Sequence, residues 1–181
     1  MPRTIPEPWH SFLREVDSDL GTRVEVHCLG GFVLTVLWDL PRPTGDIDII
    51  ETRPPGAVER LLNLGGEGST LAAKYRLKLH QVTIAEYPED YVSRLVDITP
   101  AEFDWLHLLA FEAHDLALAK LGRNTQRDRE DVAYLVRKGA LQRQTLEERF
   151  DREQRPYTLD ESRETATLAL WLQEFFPEED R

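Results

Sequence analysis

Two carboxylates stand two residues apart in the run Thr44-Gly-Asp-Ile-Asp-Ile-Ile-Glu51, and that spacing is where chemistry is to be expected. On a strand, Asp46 and Asp48 leave the same face with their Cα atoms about 7 Å apart. A pair of this kind suits oxygen-preferring divalent cations that bridge the phosphates of a nucleoside triphosphate. Upstream lies Gly30-Gly31. Neither residue has a Cβ, so a phosphate can approach the backbone, and a helix beginning there would aim free N–H groups at it. The same pattern can also arise in an ordinary β-α-β segment, with a capping glycine and a solvated acidic strand.

Several elements must hold these residues in place. Val24 to Leu29 has strand composition and breaks at Gly30-Gly31; an apolar helix runs from Phe32 to about Trp38. A turn bracketed by Pro41, Pro43 and Gly45 leads into a second strand, Asp46 to Ile50, anchored by Ile47, Ile49 and Ile50. An opening helix is expected from Trp9 to Leu20, where Trp9, Phe12, Leu13 and Val16 recur at helical spacing before Gly21. After Pro54-Pro55-Gly56 come a helix over Ala57 to Leu64 and a helical piece over Glu67 to Arg76. Leu77 to Ala85 reads as a third strand, and its change of phase predicts a bulge near His80-Gln81. A short helix over Glu89 to Leu95 and an apolar strand over Phe103 to Phe111 complete this part.

From Glu112 the period becomes helical. Helices are expected over Glu112 to Gly122, Arg127 to Lys138, Thr145 to Gln154 and Leu159 to Phe176. If the first of these continued, Lys120, Arg123 and Arg127 would share one face. In the second, Asp128 and Asp131 extend the apolar stripe of Val132 and Leu135, so they should point into an interface. Acids in a first helical turn can also simply complement the helix dipole, and Lys120 and Arg123 can be a solvated helix end.

The order strand, Gly-Gly, helix, turn, Asp-Ile-Asp strand resembles the DNA polymerase β-like nucleotidyltransferase superfamily. Leu-Pro-Arg-Pro-Thr-Gly ahead of Asp46 makes it more narrowly similar to small bacterial nucleotidyltransferases related to AbiE-type toxins. The stretch His114-Asp-Leu-Ala-Leu-Ala-Lys-Leu-Gly-Arg123, followed by Arg127-Asp-Arg-Glu-Asp131, resembles the same group some 70 residues away. Together the two cover roughly Val24 to Gly139.

The resemblance implies a Mg²⁺- or Mn²⁺-dependent transfer of a nucleoside monophosphate, or of nucleotides, from a triphosphate. The acceptor would be an RNA such as a tRNA 3′ end, or a hydroxyl on a protein, with a cognate toxin or antitoxin as a further partner. Asp46 and Asp48 would hold metal, with Lys120 and Asp131 in catalytic roles. Asp131 would orient Lys120 or act as a base. Gly30, Gly31, Thr44, Lys120, Arg123, Arg127 and Asp128 would lie near the nucleotide. Active members of the superfamily usually carry a third carboxylate on the neighbouring strand, whereas Leu77 to Ala85 holds no acid. Glu86, just past that strand, and Asp97 are the candidates. The missing acid also admits a rival, a non-catalytic binding or antitoxin-like module on the same fold.

The fold class expected is α/β: a mixed twisted sheet of four or so strands with packed helices over 1–111, and a helical part over 112–181. The chain has 181 residues, of which 41% are hydrophobic and 30% charged, as in a well-cored globular protein. A net charge of −11 argues against non-specific binding to duplex DNA, which depends on many cations neutralising phosphates. Basic clusters at Lys74, Arg76 and Lys78 and at Lys120 to Arg129 fit a nucleotide or one defined RNA feature. No apolar run is long enough to span a bilayer, and Met1 to His10 carries prolines where a leader would be apolar. The single cysteine, Cys28, cannot form an internal disulfide, which points to the cytoplasm. The five histidines show no metal-ligand spacing.

Overall fold

The computed structural model describes residues 4–177. The ends of the sequence, including the last residues of the acidic tail, lie outside that range. The chain forms two compact units, one of residues 1–83 and 95–111 and the other of 84–94 and 112–181. The segment 84–94 thus groups with the helical part rather than with the sheet, where the sequence division at 111 had put it.

The first unit is built on a five-stranded mixed sheet of order β3-β2-β1-β5-β4. The strands are β1 (Val24–Leu29), β2 (Asp46–Arg53), β3 (Lys78–Gln81), β4 (Val96–Asp97) and β5 (Leu106–Ala110). Strand β1 pairs antiparallel with β2 and parallel with β5, so both its edges are covered. It supplies the buried residues Val24, Val26 and Cys28. Helix α1 (Trp9–Leu20) has the expected bounds and buries Phe12, Leu13, Val16 and Leu20. Its Asp17 is buried as well. The carboxylate accepts hydrogen bonds from the backbone N–H groups of Asp104, Trp105 and Leu106, tying the helix to the start of β5. Helix α2 (Gly31–Trp38) follows β1 directly, and α3 (Ala57–Gly65) and α4 (Thr70–Tyr75) join β2 to β3.

The third strand is shorter than the sequence suggested. It stops at Gln81, because the change of phase after it marks the end of the strand and not a bulge. Ile84, expected inside that strand, is instead highly exposed. A register shift does occur, between His27 and Cys28 where β1 meets β2. Ile47 and Ile49 are buried as expected, whereas Ile50 lies half-buried in phase with the aspartates.

The second unit contains α5 (Ala113–Leu118), α6 (Gln126–Arg137), α7 (Arg143–Arg149) and α8 (Glu161–Phe175), together with a short 3₁₀ segment, Glu89–Arg94. Helix α5 ends before Lys120, so Lys120, Arg123 and Arg127 do not share the face of one continuous helix. The core of this unit includes Leu116, Leu118, Leu121, Val132, Leu135, Phe150, Leu168 and Trp171. Arg94 grips Asp115 with Nε and Nη2 at 2.8 and 3.0 Å, and Arg149 adds a bond to the same carboxylate at 3.0 Å. Among the described residues no helix is long and apolar enough to cross a membrane.

Candidate functional site

The first cluster belongs to the sheet unit. Along β2 burial alternates, so Ile47 and Ile49 enter the core while Asp46 and Asp48 share the opposite, accessible face. The chain reaches this face at Gly30, whose φ of +82° is a conformation that glycine adopts without strain. A Cβ built on Gly30 would stand 2.2 Å from Asp48 Oδ2. The glycine therefore leaves the space that the Asp48 carboxylate occupies. At Gly31 a Cβ would meet Thr44 Oγ1 at 3.2 Å, so Thr44 closes the other side of the turn.

Helix α2 begins at Gly31 with no side-chain cap on its N-terminus. Its first N–H groups are available to an anion, and the helix dipole favours one there. Gly30, Gly31, Thr44, Asp46 and Asp48 are thus brought together within one unit.

The neighbouring strand completes this face with bases. Asp46 stands opposite Lys78, and Asp48 opposite His80, in the parallel ladder of β2 and β3. His80 Nδ1 lies 2.9 Å from Asp48 Oδ1. Lys78 Nζ lies 3.1 Å from Glu67 Oε2 and 3.9 Å from Asp46 Oδ1. In the sequence Lys78 stood out only as part of a basic cluster with Lys74 and Arg76, and His80 not as a site residue, although their alternation on a strand would have placed both on the aspartate face.

Neither candidate for a third carboxylate stands on β3. Asp97 is on edge strand β4, three strands from β2 and so about 14 Å away across the sheet. Glu86 belongs to the second unit. Its carboxylate accepts hydrogen bonds from Thr158 Oγ1 and the Leu159 N–H of the same unit. Among the described residues no group of three or more His, Cys, Asp and Glu is arranged to hold a metal ion. The two aspartates still offer hard carboxylate oxygens from one face, a donor set that fits Mg²⁺ or Mn²⁺ shared with phosphate and water. Cys28 behind them is inert, because burial and the Asp48 charge push its thiol up to about 12.

The second cluster lies in the helical unit, and it is closed. Lys120 Nζ donates to Asp131 Oδ2 at 2.9 Å and to Asp128 Oδ1 at 3.3 Å. Lys120, Asp128 and Asp131 are all buried. Asp128, the third residue of α6, also closes a capping box with Thr125, and Arg123 clasps it through Nε at 2.8 Å and Nη2 at 2.6 Å. Burial alone would raise the Asp128 carboxyl. Arg123, Lys120 and Thr125 overcome that and hold it well below the usual carboxylate range. Arg127 is exposed and stands apart from this network.

One comparison decides the family. A family model described as nucleotidyltransferase of unknown function (DUF6036) matches residues 11–178. The chain belongs to this nucleotidyltransferase family. No curated protein and no solved structure gives a significant match. Membership implies a nucleoside triphosphate as substrate. The five-stranded mixed sheet with its packed helices accords with a nucleotidyltransferase-like fold. In this member of the family, the strand beside the aspartate pair carries Lys78 and His80 where an acid was sought.

Proposed function

We propose that the chain transfers a nucleoside monophosphate from a nucleoside triphosphate to an acceptor hydroxyl, with the Gly30–Asp48 face as its active site. Asp46 and Asp48 are the residues that would hold Mg²⁺ or Mn²⁺, which when bound neutralises charge on the phosphate oxygens. The uncapped start of α2 and the Gly30-Gly31 backbone receive the triphosphate, and Thr44 borders the same turn. The acceptor oxygen forms a bond to the α-phosphorus while the bond from that phosphorus to its bridging oxygen breaks. Pyrophosphate leaves with the electron pair, and the hydroxyl proton passes to solvent. Such transfer depends mainly on positioning and electrostatics, which a rigid strand pair and a glycine turn supply.

Asp131 serves by orienting Lys120, since its Oδ2 is engaged by the Lys120 ammonium. The pair, with Asp128 and Arg123, anchors the start of α6. The acceptors that the AbiE-type resemblance supports are an RNA such as a tRNA 3′ end or a protein hydroxyl, in a toxin–antitoxin setting.

The observation that carries this reading is the same-face aspartate pair, with Asp48 Oδ2 lying over the glycine turn. The absence of an acid on β3 favours a second reading, a nucleotide-binding module without turnover. A label placed on the α-phosphate decides between them. Incubation with Mg²⁺ and a pool of RNA or protein acceptors should move α-label, and not γ-label, onto the acceptor. Saturable triphosphate binding with no label transferred to any acceptor would establish the binding module.

A further inference from the structure

The residues facing Asp46 and Asp48 across the ladder have a consequence for how metal reaches the site, if the site is the one proposed above. A carboxylate can only accept hydrogen bonds, so the 2.9 Å contact with Asp48 Oδ1 places a hydrogen on His80 Nδ1. With Oδ1 held in this way, Oδ2 is the oxygen turned to the Gly30 backbone, in the space a Cβ would occupy. Asp46 has an ammonium for its neighbour, since Lys78 Nζ lies 3.9 Å from its Oδ1.

A bare divalent ion therefore meets two carboxylates, one with an oxygen already engaged and the other beside a positive charge. It would also lack most of its ligands, because Mg²⁺ requires six oxygens and two side chains supply few of them. A metal–triphosphate complex brings its own phosphate oxygens and a net negative charge. Lys78 repels the first species and attracts the second.

We propose that His80 is a positioning residue standing where a third metal ligand would be, and that with Lys78 it makes this site take a divalent cation only as its triphosphate complex. Donation from Nδ1 fixes the Asp48 carboxylate for that complex. The absence of an acid at position 80 denies the bare ion a third oxygen donor.

The test uses the full chain and Mn²⁺ as the probe, with and without a mixture of the four nucleoside triphosphates bearing a non-hydrolysable α–β linkage. Binding is followed by calorimetry and by paramagnetic broadening of the His80 ring resonances, identified by their loss in His80→Asn. Wild type should bind the Mn²⁺–triphosphate complex at least tenfold more tightly than Mn²⁺ alone, and His80 should broaden only in the presence of nucleotide. His80→Asp should bind Mn²⁺ alone at least tenfold more tightly than wild type. His80→Asn, whose amide can donate in place of Nδ1, should behave as wild type. His80→Ala should bind the complex several-fold more weakly at an unchanged melting temperature.

Tight binding of Mn²⁺ alone to wild type, with His80 broadened, would overturn the inference while leaving the proposed function standing. A His80→Ala variant with undiminished affinity for the complex would remove its positioning role. Failure of wild type to bind the complex at all would overturn the proposed function, and this inference with it.

Discussion

Asp48 Oδ2 occupies the volume that a side chain on Gly30 would fill, 2.2 Å from the ideal Cβ position. Gly30→Ala should therefore do two things. It strains a backbone at φ +82°, and it expels the carboxylate from the turn. Gly56 is the matched control, with φ +87° and nothing within 4 Å of its Cβ position. Both variants should lose about 1–2 kcal/mol of stability from the positive φ. In a triphosphate titration with Mg²⁺, Gly30→Ala alone should lose binding. Equal affinities in the two variants would detach the glycine from the site.

The aspartate pair is predicted to serve binding at the expense of the metal-free protein. Asp46→Asn and Asp48→Asn should each abolish Mg²⁺-dependent triphosphate binding. Their melting temperatures should stay level or rise, because two like charges on one strand face repel when no metal is bound, and the solvent-accessible contacts with Lys78 and His80 offset this only in part. A fall of several degrees in both variants, with nucleotide affinity retained, would make the pair structural.

Lys120 should matter most to stability. Its ammonium is buried and engaged by Asp128 and Asp131. Truncation to Ala leaves two buried carboxylates with less compensation, a change that costs about 3–5 kcal/mol. Urea unfolding of Lys120→Ala against Lys138→Ala, a change at the C-terminal end of α6, should show the contrast. A Lys120→Ala variant of normal stability and weakened triphosphate affinity would instead identify an ammonium that meets the ligand.

A pH dependence follows from a pair of glutamates in the helical unit. Glu164 is buried; Gln154 Nε2 donates to its Oε2 at 2.9 Å, and no donor reaches its Oε1. A Cβ on Gly122 would touch both this Oε1 and Glu86 Oε2, so the two carboxyl groups converge. Burial, then the neighbouring Glu86, raises the Glu164 carboxyl from its ordinary 4.5 to about 7.

In the unfolded chain Glu164 ionises first as pH rises. The folded state is therefore progressively disfavoured between about pH 4.5 and 7, and the loss is complete above that. Glu86 opposes this. Burial raises its carboxyl, but hydrogen bonds from Glu164, Leu159 and Thr158 leave it lowered overall. Its contribution is present above the unfolded value and lost as pH falls through the folded one. Glu164→Gln should flatten the thermal-stability profile across the interval from 4.5 to 7 and be more stable than the parent at about pH 8, by about 1–3 kcal/mol. Parallel profiles for parent and variant would show that Glu164 titrates normally.

The aspartate face was legible from the sequence because its determinants are local. Period-two alternation across Asp46 to Ile49 sets which side chains face out, and two adjacent glycines mark a turn whose first residue, Gly30, takes the positive φ that glycine favours. Helix α1, whose determinants are its own apolar spacing and a terminal glycine, was legible to the residue. What surrounds Asp48 was not. That His80 and not an acid meets it depends on which strand lies beside β2 and in what register, a pairing between residues 32 positions apart. Lys120 and Asp131 were singled out by type alone. Their commitment to each other arises because α5 ends at Leu118, so the chain turns before α6 and sets the ammonium against the acids of the next helix. Asp17 shows the same division. Its place on the buried face of α1 is periodic and local, but its three backbone partners some 90 residues away exist only once the helix lies on the sheet. Composition and spacing fix which groups a segment presents, whereas the partners that determine their charge and freedom come from tertiary contacts that no local pattern encodes.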